Sequence, residues 1–156
     1  MLLVKTVVKP SAIAGVGLFA DQDIQQGSVV WQYTPNTCVA LTREQFQALL
    51  NSFHKNERPL IHYYLTYTYY ESLMDSMILC VDNARFVNHA NFPACGRSPH
   101  IPSESAWKYS VALRDIAKGE ELTEDYRSYD NPEWLVEVYP QYGVRHEYPE
   151  EGTVRQ

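Results

Sequence analysis

The sequence predicts a mainly β domain of small sheets with a few short helices, and three observations support this prediction. Short apolar runs alternate with turn residues from Leu2 to Tyr33, a pattern typical of several short strands joined by tight turns. Two later apolar segments, Met77–Val81 and Lys108–Leu113, have the length of buried strands. Clear helical signals occur in only two places. At 156 residues, the chain has the size of one domain.

The first helical signal begins at Thr42. Thr42 and Gln45 have the spacing of a capping box, and Leu41 and Phe46 have that of a hydrophobic staple. Apolar residues then recur at helical spacing as far as Phe53. The sequence therefore predicts a helix that starts directly after Thr42.

Three further segments complete the predicted elements. The Tyr-rich stretch Ile61–Leu73 is compatible with a helix or a strand, because its β-branched and aromatic residues favour strands, and both alternatives stay open. The segment Gly96–Ser105 contains two prolines and predicts a surface loop. Near the C-terminus, Asn131 before Pro132 is typical of an N-cap and a first helical turn, which predicts a short helix through Val138.

Charge and cysteine content exclude several classes of protein. The formal net charge of -6 argues against direct nucleic-acid binding, which needs a basic face, and suits a basic peptide better. The three cysteines have no C-x-x-C spacing, which favours a reducing compartment. We find no signal peptide and no apolar run long enough to span a membrane. We therefore expect an intracellular protein, with nucleus, cytoplasm and oligomeric state left open.

Two motifs place residues that could bind a ligand or take part in catalysis next to predicted strands. Gly15-Val16-Gly17 lies between strands, where glycine permits positive φ and close approach of a ligand, although a tight turn alone explains it. In Arg85–His89, an amide and an imidazole stand side by side at Asn88 and His89. For His89, a hydrogen-bonded structural role and a catalytic pair with Cys80 or Cys95 are the alternatives.

A third motif, Gly119–Tyr126, joins a turn, an acidic pair and an apolar segment that ends in tyrosine. In their order along the chain, the three motifs resemble those of the SET-domain lysine methyltransferases. Ser11–Ala20 is similar to the opening motif of that family, Arg85–His89 to its central asparagine-histidine motif, and Gly119–Tyr126 to its closing motif. The resemblance covers most of Val7–Tyr126.

The resemblance implies a SET-domain, β-clip-like fold in which the segment with Asn88 and His89 is crossed by the segment with Tyr126 in a pseudoknot. It further implies one SET-like domain over residues 1–156. Within that domain we expect a variable insert at about 39–76 and a C-terminal closing segment at about 127–156.

The function implied by the resemblance is methyl transfer from S-adenosylmethionine to a lysine side chain of a protein, such as a histone or another basic protein. The backbone at Gly15, Val16 and Gly17 and the side chain of Asn88 would hold the amino-acid end of the donor. The His89 backbone would meet its adenine. The alternative is a noncatalytic SET-fold module that binds a basic protein segment, which the altered residues Ala90, Phe92 and Glu124 leave open.

On the substrate side, the resemblance assigns Tyr33 and Tyr126 to the channel that receives the lysine. An apolar aromatic channel disfavours the charged amine and so helps to supply a nucleophile. We expect the Tyr126 hydroxyl to orient the amine and the methyl group. Aromatic residues of the tail, Trp134, Tyr139 and Tyr142, are available to close the channel.

Two departures from the family pattern carry further predictions. No cysteine follows Cys95, so the zinc-binding thiolate cluster of many members cannot be assembled, and we predict no bound metal. Glu124 stands where the family commonly has Phe or Tyr. Facing the channel, Glu124 could hold a lysine ammonium; we favour the orientation toward solvent, as a surface charge.

The tail also suggests how a basic peptide would be attracted. Acidic residues are frequent from Asp130 onward, and we predict that they form an acidic rim around the lysine channel, although a solvated tail explains them equally well. They are Asp130, Glu133, Glu137, Glu147, Glu150 and Glu151.

Overall fold

The computed structural model describes residues 1–54 and 57–144. The chain divides into two compact units, each built from two chain segments. Unit 1 comprises Met1–Cys38 and Cys80–Tyr126, and unit 2 comprises Val39–Leu79 and Arg127–Gln156. Small sheets dominate and the helices are short, so the predicted mainly β fold class is confirmed. The single-domain organisation with its insert and closing segment stays a prediction.

The elements follow one another in this order along the chain. The strands are β1 Thr6–Pro10, β2 Val16–Ala20, β3 Val29–Gln32, β4 Cys38–Thr42, β5 Thr68–Glu71, β6 Ser76–Cys80, β7 Asn88–His89, β8 Cys95–Gly96, β9 Tyr109–Ala112 and β10 Glu121–Glu124. The α-helices are α1 Arg43–Ser52, α2 Arg58–Tyr67, α3 Ser103–Ala106 and α4 Glu133–Gln141, and 3₁₀ turns lie at Asn83–Phe86 and Tyr126–Ser128.

Unit 1 contains a four-stranded sheet in the order β1-β2-β10-β7. Strand β10 pairs antiparallel with β2, where Leu122 faces Leu18. On its other side β10 pairs parallel with β7, where Thr123 faces Asn88. The central and closing motifs are therefore side by side, as the predicted crossing of these two segments requires.

The core of unit 1 lies under this sheet and under a second one of order β3-β9-β8. In β2, Leu18 and Ala20 point to one face and are buried, whereas Phe19 between them points to the opposite face and is half-buried, because alternate side chains of a strand point to opposite faces. The buried apolar residues that form the cluster are Leu18, Ala20, Ile24, Val30, Ala94, Cys95, Ala112, Ile116 and Leu122.

Unit 2 combines helices α1, α2 and α4 with the sheet β4-β6-β5. The predicted capping box is confirmed: the Thr42 hydroxyl accepts from the Gln45 N–H at 3.3 Å, and the Gln45 side chain accepts from the Thr42 N–H at 2.9 Å. Its core consists of Phe46, Leu50, Ile61, Leu65, Met77, Leu135, Val138 and Tyr139.

The Tyr-rich stretch adopts both of the alternatives that its sequence left open. It continues α2 as far as Tyr67 and then forms β5 from Thr68. Pro59 stands in the first turn of α2, where its missing N–H has no helical partner to lose. The change from helix to strand brings Thr68 opposite Leu79 in an antiparallel pair.

Three local predictions are wrong. Pro132, and not Asn131, is the N-cap of α4, and the Asn131 amide instead donates to the Tyr129 carbonyl at 3.3 Å. The predicted loop Gly96–Ser105 ends inside helix α3. Gly17 belongs to β2, so only Gly15, with φ of 48°, serves the preceding turn. No helix in the described parts of the chain is long and apolar enough to cross a membrane.

Candidate functional site

The side-chain amide of Asn88 is the centre of a polar cluster in unit 1. Its Nδ2 donates to Glu121 Oε1 at 2.7 Å, to the Val16 carbonyl at 3.1 Å and to the Ala14 carbonyl at 3.3 Å. Strand β7 places Asn88 beside β10, which carries Glu121, and β10 is also paired with β2. The opening, central and closing motifs therefore meet at one amide group.

Glu121 occupies the space beside Gly17. A Cβ atom on Gly17 would lie 2.0 Å from Glu121 Oε1 and 2.7 Å from its Cδ. The second carboxylate oxygen, Oε2, accepts from the Ser11 hydroxyl at 2.9 Å. Gly17 is therefore needed at this position because any side chain would displace the carboxylate that binds Asn88.

The turn before β2 is closed by its own hydrogen bonds. The Ser11 N–H donates to the Gly15 carbonyl at 3.1 Å, and the Ser11 hydroxyl accepts from the Ile13 N–H at 2.9 Å. Gly15 adopts a positive φ that other residues rarely adopt. This closed turn directs the Ala14 and Val16 carbonyls toward Asn88.

The Asn88 cluster has more acceptors than the amide can satisfy. An amide group offers two N–H donors, whereas three oxygen acceptors lie within reach of Nδ2. One of those acceptors is a carboxylate, and a carboxylate binds a cationic donor more strongly than a neutral one. The arrangement therefore fits an ammonium group, which would supply the missing donors and balance the charge of Glu121.

Tyr126 is held at both ends by the segment around β7. Its hydroxyl donates to the Val87 carbonyl, and its backbone N–H donates to His89 Nδ1 at 3.1 Å. The rings of His89 and Tyr126 lie 5.7 Å apart, tilted by 46°. Because the hydroxyl proton is directed at the Val87 carbonyl, the lone pairs of the phenolic oxygen point away from Val87, and this oxygen can accept a hydrogen bond from another group.

The same hydrogen bond defines how the His89 ring is used. Nδ1 accepts the Tyr126 N–H. Asp125 Oδ1 lies 3.7 Å from the same nitrogen, beyond hydrogen-bond distance. His89 therefore acts here as an acceptor that positions Tyr126.

Tyr33 directly follows β3 and is held by a separate set of contacts. Its N–H donates to the Lys108 carbonyl at 2.8 Å, and its ring lies 5.0 Å from the Trp107 ring. Burial, followed by the nearby Cys38, raises the pKa of Tyr33 above its usual value. The phenol is therefore neutral at physiological pH and forms an aromatic wall together with Trp107.

The preferred orientation of Glu124 toward solvent is wrong. Glu124 is half-buried, and its Oε1 accepts from the hydroxyl of buried Ser110 on β9. Burial, and next the negative charge of Glu124, raises the pKa of Cys95 to about 12. The carboxylate is therefore directed at Ser110 of β9 and not at solvent.

Several residues with a role in this arrangement were missed by the sequence analysis. They are Ser11, Val87, Ser110 and Glu121. Ser11 and Glu121 both lie inside the motifs, and a polar residue beside a glycine motif could have directed attention to them. The contribution of Val87 is a backbone carbonyl, which leaves no signal in the sequence.

Over residues 1–54 and 57–144, no group of three or more His, Cys, Asp or Glu side chains could hold a metal ion. The absence of zinc from the purified protein stays a prediction.

Comparison with known proteins identifies the family. The model of the SET domain matches residues 15–127, which is well over half of the chain. This chain belongs to the SET-domain family. The match begins at Gly15 and ends directly after Tyr126, so it contains nearly all of the SET motifs described above.

A relative of this SET domain is the histone-lysine N-methyltransferase, H3 lysine-36 specific, of Debaryomyces hansenii. It is 28% identical over 121 residues, and the match covers 78% of this chain but 16% of the relative. The chain thus spans about one sixth of the length of the curated relative that it matches.

Solved SET-domain structures share the fold. The Neurospora SET domain protein DIM-5, a histone lysine methyltransferase, matches with a TM-score of 0.54 and 18% identity, over 84% of this chain and 55% of that one. The ctPRC2 complex, in an autoinhibited conformation bound to S-adenosylmethionine, matches with a TM-score of 0.59 and 20% identity. That match covers 88% of this chain and 17% of the other. The SET fold is therefore established for this chain.

Proposed function

We propose that this chain is a protein-lysine N-methyltransferase that uses S-adenosylmethionine. The observation that carries the proposal is the Asn88 cluster, in which the three family motifs meet around an amide with a surplus of acceptors. Membership of the SET family and similarity to a histone-lysine methyltransferase support the same activity.

The residues of the Asn88 cluster would hold the amino-acid end of the donor. Its ammonium group would bind the Ala14 and Val16 carbonyls and the Glu121 carboxylate, which the fit of a cation to this cluster supports. His89 would contribute its backbone to the adenine. S-adenosylmethionine, when bound, supplies an electrophilic methyl carbon, so the protein has to align an amine with it.

The aromatic residues would receive the lysine. Tyr126 would accept a hydrogen bond from the amine, since its own proton is directed at the Val87 carbonyl. This leaves the amine lone pair free to point at the methyl group. Tyr33 and Trp107 would provide an apolar wall that disfavours the ammonium form of the lysine.

The proposed substrate is a lysine-containing, basic protein such as a histone. The net charge of -6 supports attraction of a basic segment, and the relative from Debaryomyces hansenii acts on histone H3 according to its name. Within the predicted acidic rim, Glu147, Glu150 and Glu151 lie outside the described residues. We also propose that the protein acts inside the cell.

Radiolabelled S-adenosylmethionine incubated with core histones and other basic proteins tests the activity. We expect label in at least one protein, and weaker donor binding by calorimetry for Asn88→Ala. Asn83→Ala is the matched control, because Asn83 is an exposed asparagine outside the cluster. Donor binding without methyl transfer to any protein would instead support the noncatalytic binding module, and loss of both would contradict the proposal.

Metal analysis of the same preparation tests the prediction that the protein binds no zinc. We expect no stoichiometric zinc, because no cysteine follows Cys95. Zinc at one ion per chain would show that other ligands replace the missing thiolates.

A further inference from the structure

Two of the three cysteines lie together at one end of two neighbouring strands. Strand β4 begins at Cys38, and β6, its neighbour in the sheet, ends at Cys80. The Val81 N–H donates to the Thr37 carbonyl at 2.9 Å, which joins the residues that flank the two cysteines. The thiol groups are themselves hydrogen-bonded to each other. They therefore form a contacting pair.

The surroundings make the two sulfur atoms unequal. The hydrogen bond from Cys80 lowers the pKa of Cys38 below its usual value, against the opposing effect of burial, and hydrogen bonds from the Thr34 backbone and the Thr37 side chain lower it further. The same hydrogen bond and burial raise the pKa of Cys80. Cys38 is thus the nucleophile of the pair, and Cys80 retains its proton.

We propose that Cys38 and Cys80 form a redox-active dithiol, which hydrogen peroxide or an organic hydroperoxide converts into a disulfide. Each thiol is almost buried, with 6% of Cys38 and 7% of Cys80 exposed. A small peroxide can reach such a site more readily than a bulky disulfide reagent. The pair lies outside the Asn88 cluster.

The geometry of neighbouring strands suits this bond. Residues that face each other across adjacent antiparallel strands have Cα atoms about 4.5–5.5 Å apart. Disulfides span Cα separations of about 4.4–6.8 Å. Cys38 and Cys80 stand at the same end of the neighbouring strands β4 and β6, so the spacing of the strands is compatible with a bond between them.

The oxidation proceeds in two balanced steps. The Cys38 thiolate attacks the terminal peroxide oxygen and the O–O bond breaks, so that Cys38 becomes a sulfenic acid; hydroxide leaves from hydrogen peroxide, and an alkoxide leaves from an organic hydroperoxide. The Cys80 sulfur then attacks the Cys38 sulfur, the S–O bond breaks, and the Cys80 proton leaves with the departing hydroxide as water. Two electrons pass from the two sulfur atoms to the peroxide.

Cys95 provides an internal control. It is 2% exposed, and burial raises its pKa to about 12. It is therefore a buried thiol of the same chain without a lowered pKa. We expect Cys38 to be oxidised at least about tenfold faster than Cys95, since the thiolate is the reactive form.

Peptide mass spectrometry without reduction tests the proposal on the full chain. After treatment with hydrogen peroxide and alkylation under denaturing conditions, we expect a cross-linked Cys38–Cys80 peptide and an alkylated Cys95. Cys95→Ser should retain the cross-link, and Cys38→Ser should lose it. Circular dichroism checks that each variant is folded, and Cys80→Ala provides a second variant, in which a sulfenic acid on Cys38 should persist.

The opposite results are equally clear. Oxidation of Cys38 to a sulfinic acid without any cross-link in the wild-type protein would overturn the proposal. A disulfide that includes Cys95, or one that joins two chains, would do the same. Equal rates of loss for all three thiols would show that the pair has no special reactivity.

Discussion

Unit 1 and unit 2 each assemble two chain segments around an apolar cluster, but they differ in what surrounds that cluster. In unit 1 the apolar residues border hydrogen-bonded polar groups on paired strands, such as Asn88 and Glu121. In unit 2 aromatic rings contact one another, with Phe53 and Tyr64 stacked at 5.8 Å and Tyr69 and Tyr129 at 4.8 Å. Unit 1 thus surrounds its core with hydrogen-bonded polar side chains, whereas unit 2 surrounds its core with packed aromatic rings.

This difference explains which parts of the chain carry the family motifs. A polar group can act on a ligand only if its neighbours hold it still, and strand pairing on both sides of β10 supplies that restraint. Aromatic packing tolerates many combinations of residues, because it depends on volume and contact area more than on exact polar geometry. The following predictions test this division, from the largest expected effect to the smallest.

Phe46→Ala should produce the largest loss of stability. Phe46 is fully buried in the unit 2 cluster, so its truncation should lower the free energy of unfolding by about 3–5 kcal/mol. Chemical denaturation measures the change. Leu73→Ala, at a position that is 60% exposed in the same unit, should change it by less than about 0.5 kcal/mol. Similar losses for both variants would contradict the packing role of the cluster.

Tyr126→Phe should nearly abolish methyl transfer without unfolding the protein. Loss of the hydroxyl that we propose to orient the amine should reduce turnover by about 100- to 1000-fold, since the reaction depends on alignment. Donor affinity, measured by calorimetry, should stay within a factor of about two of the wild type.

Tyr63→Phe is the matched control for this experiment. Tyr63 lies on α2 in unit 2 and is 38% exposed, so removal of its hydroxyl should leave turnover unchanged. If Tyr126→Phe retained full turnover, or if Tyr63→Phe lost it, the proposal that unit 1 carries the residues needed for methyl transfer and unit 2 does not would be wrong.

Glu121→Ala should weaken donor binding because it removes the carboxylate from the Asn88 cluster. Hydrogen bonds to charged groups contribute about 1.5–3 kcal/mol, so the dissociation constant should rise about 10- to 100-fold. Glu120→Ala is the control, since the adjacent Glu120 pairs with Arg114 at 2.5 Å and is outside the cluster. Unchanged affinity in folded Glu121→Ala would remove Glu121 from the donor site.

Thr42→Ala should have the smallest effect. The substitution removes half of the capping box of α1 and should cost about 1 kcal/mol of stability. Thr66→Ala is the control, because Thr66 is exposed inside α2 and does not cap a helix. It tests whether replacing a threonine by alanine lowers stability in the absence of a cap. A loss for Thr66→Ala as large as that for Thr42→Ala would show that the cap itself contributes little.

The sequence predicted those features whose causes are local. The capping box depends on Thr42 and Gln45, only three residues apart, and the structure contains it as predicted. The Tyr-rich stretch was ambiguous because its residues satisfy both a helix and a strand, and its pairing with β6 decides where one gives way to the other. The N-cap at Asn131 was wrong because α4 begins one residue later than expected, at Glu133, so Pro132 occupies the N-cap position.

Features that depend on distant residues could not be derived from the sequence alone. The need for glycine at position 17 comes from Glu121, and the orientation of Glu124 comes from Ser110. A family resemblance marked Gly17 and Asn88 as donor-binding candidates, a role that stays a prediction. It gave no indication that the Glu121 carboxylate joins them.

The position of β10 between β2 and β7 has a consequence for the order of folding. The Ser11 hydroxyl donates to Glu121 of β10, which lies 110 positions further along the chain. Loop closure over such a distance slows folding. During synthesis, β2 and β7 would leave the ribosome without the strand that joins them. Until Glu124 emerges, both would expose unpaired edges, so unit 1 should depend on chaperones most strongly in that interval.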